Sequence, residues 1–196
     1  MTVFELLNSC FAQICGQYPD HTWSPGGTLL PLCQRCTGMY AGAAIAALLQ
    51  IFIRPRLNSR WLELHGAFLL IMVPFGFRWV PQGPVLRAVT GVLFGFGVVA
   101  FLWLEPGRVL AGLTGSKKNR LHPKTRHFLY ALALPFTSGA VPWMGNLGGS
   151  IGAVVLIALA TTGAALLLLL FFFNVGLGLV ACIRAGVEVA RTRKAL

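Results

Sequence analysis

The stretch Cys33-Gln34-Arg35-Cys36-Thr37-Gly38-Met39-Tyr40-Ala41-Gly42 stands where a polar segment gives way to a long apolar run. Its two cysteines are separated by two residues, and Cys10 and Cys15 lie upstream in the same polar segment. Most of the cysteines therefore fall at the beginning of the first long apolar segment. We interpret this junction as the functional centre, with 1–36 as a cysteine-rich interfacial segment and 37–196 as a transmembrane helical bundle with basic loops and a basic tail.

The composition of the chain indicates an integral membrane protein. Of its 196 residues, 56% are hydrophobic and only 11% are charged, whereas charged residues make up about 25% of a soluble domain. Such a chain cannot cover a folded core with polar surface. The net charge of +11 fits loops that face an anionic cytoplasmic leaflet, so we expect a lipid bilayer and no nucleic acid as the partner.

The apolar runs predict an all-α integral membrane protein with about five transmembrane helices. Apolar residues between Phe4 and Ile14 recur at roughly helical spacing, which predicts a short amphipathic helix in the interface. The second run is short for a bilayer, and the last is longer than a bilayer, so it must tilt or project. Between the third and fourth spans we expect a long basic loop over 105–126. The expected spans are 37–53, 64–77, 88–104, 128–144 and 150–183.

The distribution of lysine and arginine predicts the orientation in the membrane. With five spans, the turn 54–60, the loop 105–126 and the C-terminal tail share one side and hold 3, 6 and 4 basic residues. The other side keeps Arg35, Arg78 and Arg87. Because basic loops remain in the cytoplasm, this division predicts an outside N-terminus and a cytoplasmic C-terminus. If the second span did not cross, the N-terminus would lie inside.

Two of the spans carry the same spacing of glycines. Gly38 and Gly42 begin the first span, and Gly91 and Gly95 begin the third. A glycine every fourth residue leaves a groove that lets another helix backbone approach closely. We predict that Gly38 and Gly91 line a direct contact between these two spans; the alternative is that the spacing arises by chance.

The segment from Leu30 to Gly42 resembles a family of small bacterial and archaeal membrane proteins of unknown function. That family has a Cys-His-Gln element, a Pro-x-Cys-x-Arg-Cys-Thr-Gly element that leads into a helix, then an Asp, and an Arg-x-x-Thr-Gly element. Here the first element is Cys15-Gly16-Gln17, which lacks the histidine, and the last is Arg87-Ala88-Val89-Thr90-Gly91. Arg78 or a close neighbour stands where the family has its Asp. The resemblance covers roughly residues 10–100, and it implies a multi-pass protein of the bacterial or archaeal plasma (inner) membrane with a cysteine site.

The first of three readings of the cysteines is a metal site. Cys10, Cys15, Cys33 and Cys36 form two close pairs separated by a loop, which is the arrangement of a tetrahedral four-thiolate zinc site. His21, in that loop, is a spare ligand. This reading predicts an extracytoplasmic zinc-type site that is structural or belongs to a subunit of a larger membrane assembly.

The second reading is thiol redox chemistry. Cys33 and Cys36 lie at the N-terminus of a predicted helix, where the helix dipole and Arg35 favour a thiolate. Exchange with Cys10 and Cys15 would make the chain a membrane thiol-disulfide oxidoreductase coupled to quinone. The third reading is one or two structural disulfides that hold the N-terminal segment over the helix. These alternatives leave open whether the protein is an enzyme.

Three arginines form a weaker candidate site. Arg35, Arg78 and Arg87 are expected together on the outer face, where guanidinium groups can hold a lipid headgroup or another anion. The alternative is that they are solvated charges flanking the spans. No pair of carboxylates falls within a span, which argues against a proton-coupled transporter.

Overall fold

The structure, a computed structural model, describes residues 2–53, 58–77, 79–113 and 122–194. These residues form the all-α membrane protein that the sequence predicts. Within these described ranges, three helical segments are long and apolar enough to cross a membrane by length and composition, namely Gln34–Phe52, Pro84–Leu102 and Gly149–Ala185. The α-helices are α1 (Val3–Ala12), α2 (Gln34–Phe52), α3 (Ser59–Gly76), α4 (Pro84–Leu102), α5 (Leu104–Leu113), α6 (Pro123–Leu147) and α7 (Gly149–Lys194), and short 3-10 turns cover Pro19–His21 and Pro25–Gly27.

A helix occurs at each of the five predicted spans, with boundaries that differ in places. α2 begins at Gln34, because the extended backbone of Cys33 serves as its N-cap. α6 continues through Pro142 as a helix and ends at Leu147. Gly149 then takes a φ of +53°, which glycine adopts without strain, and α7 starts there. At 1.5 Å per residue, α7 is about 69 Å long, well beyond the thickness of a bilayer.

The segment 105–126 is not the continuous loop that its charge led us to expect. Its first part belongs to α5, which follows α4 after the single residue Trp103. Glu105 and Arg108 form an ion pair one turn apart on α5, a spacing that supports a helix. The lysine-rich part at 114–121, like the basic turn at 54–57, lies outside the described residues.

α2 and α4 pack with their backbones in direct contact, which confirms the prediction made from the glycine spacing. A Cβ atom on Gly38 would overlap the carbonyl oxygen of Ala88, and one on Gly91 would overlap the carbonyl oxygen of Arg35. Gly95 meets the carbonyl of Met39 in the same way. The absence of side chains at these positions lets the two backbones touch. This crossing joins the beginnings of α2 and α4 at the end of the bundle that carries the cysteines.

α7 packs against α2 and reaches the end of α4. A Cβ atom on Gly163 would overlap the carbonyl oxygen of Tyr40, so this contact also depends on glycine. Farther along, the side-chain amide of Asn174 donates to the carbonyl oxygen of Leu102 at 2.8 Å. Beyond Asn174, most side chains of 175–185 are exposed. The stretch 175–183 of α7 therefore presents an apolar surface rather than adding to the core.

The N-terminal segment covers the end of the bundle where the α6–α7 turn lies. The indole of Trp23 lies over Gly145 and donates its N–H to Asn146 Oδ1 at 3.2 Å. Gly26 takes a φ of +67° and leaves no room for a Cβ atom next to Ser150 at the start of α7. Nearby, Cys15 is buried in an apolar cluster that includes Ala160 of α7. Contacts with the last two helices therefore hold the N-terminal segment in place.

A buried polar cluster connects three helices nearer the other end of the bundle. His65 is 1% exposed; its Nδ1 lies 2.6 Å from the Trp61 carbonyl oxygen and its Nε2 lies 2.9 Å from the Tyr130 hydroxyl. Because a carbonyl oxygen only accepts, Nδ1 carries the proton and Nε2 accepts from Tyr130. Gln50 of α2 is buried beside the same hydroxyl. These side chains fix α3 and α6 relative to α2.

Candidate metal centre

The centre of the site is a group of three thiols. The sulfur atoms of Cys15, Cys33 and Cys36 lie within 4.8 Å of one another. Cys15 is buried, the other two are partly buried, and none of the three forms a disulfide. In a tetrahedral zinc site with Zn–S bonds of about 2.3 Å, sulfur atoms stand about 3.7–3.8 Å apart. If the distances between the sulfur atoms shortened by about 1 Å at most, all three could bind one ion.

The start of α2 positions two of the thiols. Cys33 is the N-cap residue and Cys36 lies in the first turn, so their i, i+3 spacing puts both on one side of the helix. An isolated antiparallel bridge between Thr22 and Cys33 holds the backbone just before α2 against the N-terminal segment. The backbone N–H of Cys33 donates to the sulfur of Cys15 at 3.3 Å. The helix dipole and this donated bond both favour negative charge on the sulfurs.

A tight turn after α1 brings the third thiol, Cys15, into the group. Gln17 has a φ of +46°, which is uncommon for a residue other than glycine. Its side-chain amide donates to the carbonyl oxygens of Pro31 at 2.8 Å and Asn8 at 3.0 Å. Gln17 therefore ties the turn that carries Cys15 to the segment just before Cys33. The sequence carries this signal in Cys15-Gly16-Gln17, but our sequence analysis gave the glutamine no role.

Hydrogen bonds within the group determine which thiol ionises first. Those from the Cys33 and Cys36 side chains stabilise the thiolate of Cys15 and lower the pKa of Cys15 in spite of its burial. The bond between Cys33 and Cys15 stabilises the protonated form of Cys33 and raises the pKa of Cys33. A metal ion would displace the remaining protons, because cysteine binds metals as the thiolate.

Cys10 is not part of the thiol group in the described structure. Leu7, Cys10, Phe11 and Ile14 follow helical spacing, so they share one face of α1 and the turn after it. All four line an apolar groove between α1 and the bundle, and Cys10 remains exposed. The structure thus brings together three of the four cysteines, and a role for Cys10 as a metal ligand stays a prediction.

A cavity of about 430 Å³ opens beside the thiols. The three thiols line it together with His21, Arg35 and Arg87. His21 stands edge-on to the ring of Tyr18, with the ring centroids 6.0 Å apart; it lines the cavity but does not belong to the group of three sulfur atoms. Arg78, the third arginine expected on this face, lies outside the described residues.

The two arginines also hold the helix ends around the cavity. Arg35 Nη2 donates to the carbonyl oxygen of Phe75 at 2.8 Å and to the side-chain oxygen of Gln82. Gln82 itself donates to the Phe75 carbonyl at 2.7 Å, so both side chains satisfy the last turn of α3. Arg87 Nη1 donates to the side-chain oxygen of Gln34 at 3.4 Å. Gln82 is a further contributor that the sequence did not lead us to predict.

The two glycine-containing sequence elements face each other across the α2–α4 crossing. In the first, the Thr37 hydroxyl donates to the Leu32 carbonyl at 3.3 Å and Gly38 packs on α4. In the second, Gly91 packs on the carbonyl of Arg35. Because the backbones touch here, Arg35 and Arg87 lie on the same cavity as the thiols. The two elements, which are far apart in the sequence, therefore contribute to one site beside the α2–α4 crossing.

Comparison with known proteins covers the part of the chain that builds this site. The model of a family described as "Predicted membrane protein (DUF2085)" matches residues 15–101. An uncharacterized protein of Methanothermobacter thermautotrophicus is 33% identical over 96 residues, which span 45% of this chain and 83% of that protein. No solved structure matches the chain. The region matched by the family model includes the three thiols, both cavity arginines and the α2–α4 crossing; Cys10, α6 and α7 lie outside it.

Proposed function

This chain belongs to the DUF2085 family of predicted membrane proteins, and from the geometry of the region that the family model matches we propose that Cys15, Cys33 and Cys36 bind one zinc-type metal ion. The observation that carries the proposal is the grouping of their sulfur atoms within 4.8 Å. Three thiolates select zinc and other thiophilic ions over magnesium or calcium, which prefer oxygen ligands. The segment 1–36 then acts as a cap whose cysteines close on the beginning of the bundle.

Three protein ligands leave the fourth tetrahedral position of the ion to another group. The cavity beside the thiols supports a fourth ligand from that side, either His21 or a molecule that enters. A fourth protein ligand would make the site structural, whereas an open position would give a Lewis acid that binds an external ligand. In both cases the protein is a metal-binding membrane protein.

The test of this proposal is the metal content of the purified full-length protein. After expression with added zinc and removal of loosely bound ions, we expect about one zinc ion per chain. A strong chelator should remove it and make Cys33 and Cys36 reactive toward a maleimide, because metal-bound thiolates react slowly. Protein that is correctly folded by circular dichroism, yet carries no metal under these conditions, would contradict the proposal.

We also propose that the cysteine-rich end faces the outside of the plasma membrane and that α2, α3, α4, α6 and α7 all cross it. Two observations support this arrangement. Arg35 at the start of α2 contacts the end of α3, and Trp23 contacts the end of α6; five alternating spans bring these ends to one side. The biased distribution of basic residues supports the orientation.

Labelling of introduced cysteines in intact cells tests the topology. In a Cys10→Ser, Cys182→Ser background, whose own labelling through the remaining cysteines is measured as the blank, Asp20→Cys should add reaction with an impermeant maleimide, whereas His122→Cys should add it only after lysis. Both positions are exposed in the structure, so access to solvent is matched. Reaction of His122→Cys in intact cells, with Asp20→Cys protected until lysis, would show that the orientation is the reverse of the proposed one.

The exposed 175–185 segment of α7 supports contacts with other membrane subunits, which cross-linking through Cys182 would detect.

A further inference from the structure

We propose that the cavity beside the thiols and the apolar groove under α1 together form a binding site for an anionic phospholipid. The phosphate headgroup lies in the cavity at Arg35 and Arg87, and an acyl chain lies in the groove. This site adjoins the proposed metal centre, but its binding energy comes from other groups. The inference therefore goes beyond the proposed function and can be tested separately from it.

The cavity has the electrostatic character of an anion site. Its lining includes the guanidinium groups of Arg35 and Arg87, and none of the described lining residues is an aspartate or a glutamate. Arg35 lies in the first turn of α2 and Arg87 in the first turn of α4, so two helix N-termini also direct their positive ends here. Basic pockets between membrane helices bind lipid headgroups in this way.

The groove under α1 is apolar rather than charged. It has a volume of about 610 Å³ and lies between α1, α2, α4 and α7. Its walls are almost entirely hydrocarbon, including Leu7 of α1, Val98 of α4 and Leu168 of α7. A concave apolar space between helices suits a hydrocarbon chain, because the chain gains contact on several sides at once.

The two spaces meet at one residue. Ile14, in the turn between α1 and Cys15, lines both the cavity and the groove. A single amphiphile can therefore place its charged end at the arginines and its chain along α1. A free phosphate would fill only the cavity, and an uncharged hydrocarbon would fill only the groove. The match of charge at one end and apolar surface at the other selects a phospholipid with an anionic headgroup.

Lipid retention by the purified full chain tests the site. In native mass spectrometry from mixed micelles, wild type should retain one phosphatidylglycerol about tenfold or more in preference to phosphatidylcholine. Arg87→Gln should reduce that preference about fivefold, since one basic residue contributes roughly that factor in attraction to anionic lipid. Arg60→Gln is the matched control: Arg60 is exposed at the start of α3 and lies outside the cavity, so the preference should not change.

A groove variant, inorganic phosphate and zinc content provide independent tests of the lipid site. Val98→Phe fills the groove and should reduce retention of phosphatidylglycerol, even if Arg87→Gln does not fold. An unchanged preference in a folded Arg87→Gln protein would overturn the proposal. So would a protein that binds inorganic phosphate at the cavity but does not retain the lipid, because the ligand would then be a free anion. Zinc content measured in the same samples separates this failure from failure of the metal site: Arg87→Gln should keep its ion.

Discussion

Replacing Gly91 by leucine should separate α2 from α4 and lower the free energy of unfolding by about 3 kcal/mol or more, at the upper end of overpacking effects. Even the first atom of the new side chain would overlap the Arg35 carbonyl oxygen. That oxygen belongs to the backbone of α2, so no side chain can rotate away to make room. For a chain of this size the midpoint of thermal unfolding should fall by about 6–12 °C.

The expected loss of stability in Gly91→Leu is specific to the α2–α4 crossing. Gly139→Leu in α6 is the matched control, because no atom lies within 4 Å of a Cβ placed there. Leucine is the better helix former by roughly 0.8 kcal/mol, so the control should be neutral or slightly stabilised. Gly38→Leu, on the opposite wall of the crossing, should behave like Gly91→Leu. Equal midpoints for Gly91→Leu and Gly139→Leu would mean that the backbones do not touch.

Replacing Cys36 by serine should reduce bound zinc from about one ion to less than about a tenth of an ion per chain. A serine hydroxyl does not ionise at neutral pH, so only two thiolates of the group would remain to hold the ion. Zinc at 100 times its dissociation constant should stabilise wild type by about 2.7 kcal/mol and leave Cys36→Ser unchanged. Elemental analysis and thermal unfolding with and without zinc measure the two effects.

Two other cysteines serve as controls for this experiment. Cys182 is exposed on α7, outside the thiol group, so Cys182→Ser should keep the ion. Cys10→Ser should also keep it if three cysteines suffice, whereas its loss there would restore the four-cysteine set that the sequence predicts. Zinc retained by Cys36→Ser, or lost to the same degree in Cys182→Ser, would refute the proposed centre.

Features that depend on near neighbours in the chain were predictable from the sequence. The spacing of Cys33 and Cys36 places both on one side of a helix, and four-residue glycine spacing indicates a close helix contact. The same reasoning could have separated Cys10 from the other thiols. Its spacing of three residues from Leu7 and four from Ile14 puts it on the apolar face that α1 shares with the following turn, where it lines the groove.

Features that depend on distant contacts were not predictable in this way. Cys15 joins the group because Gln17 bonds to the carbonyl of Pro31; the Cys15-Gly16-Gln17 element points to the glutamine but not to that distant partner. The partner of His65 is Tyr130, on a different helix. α5 was missed for another reason: the basic residues in 105–126 favoured a loop, while the Glu105–Arg108 spacing supports a helix.

The contacts that bury Cys15 determine when, during synthesis of the chain, this thiol becomes buried. Cys15 is buried in a cluster with Ala160 of α7, and Trp23 lies on Gly145 of α6. The ribosome reaches Ala160 some 120 residues after Cys36, or about 6–25 s later at about 5–20 residues per second. During that interval the cysteines are already synthesised while the surface that buries them does not yet exist. Synthesis of the beginning of α7, rather than emergence of the motif, therefore completes the burial of Cys15.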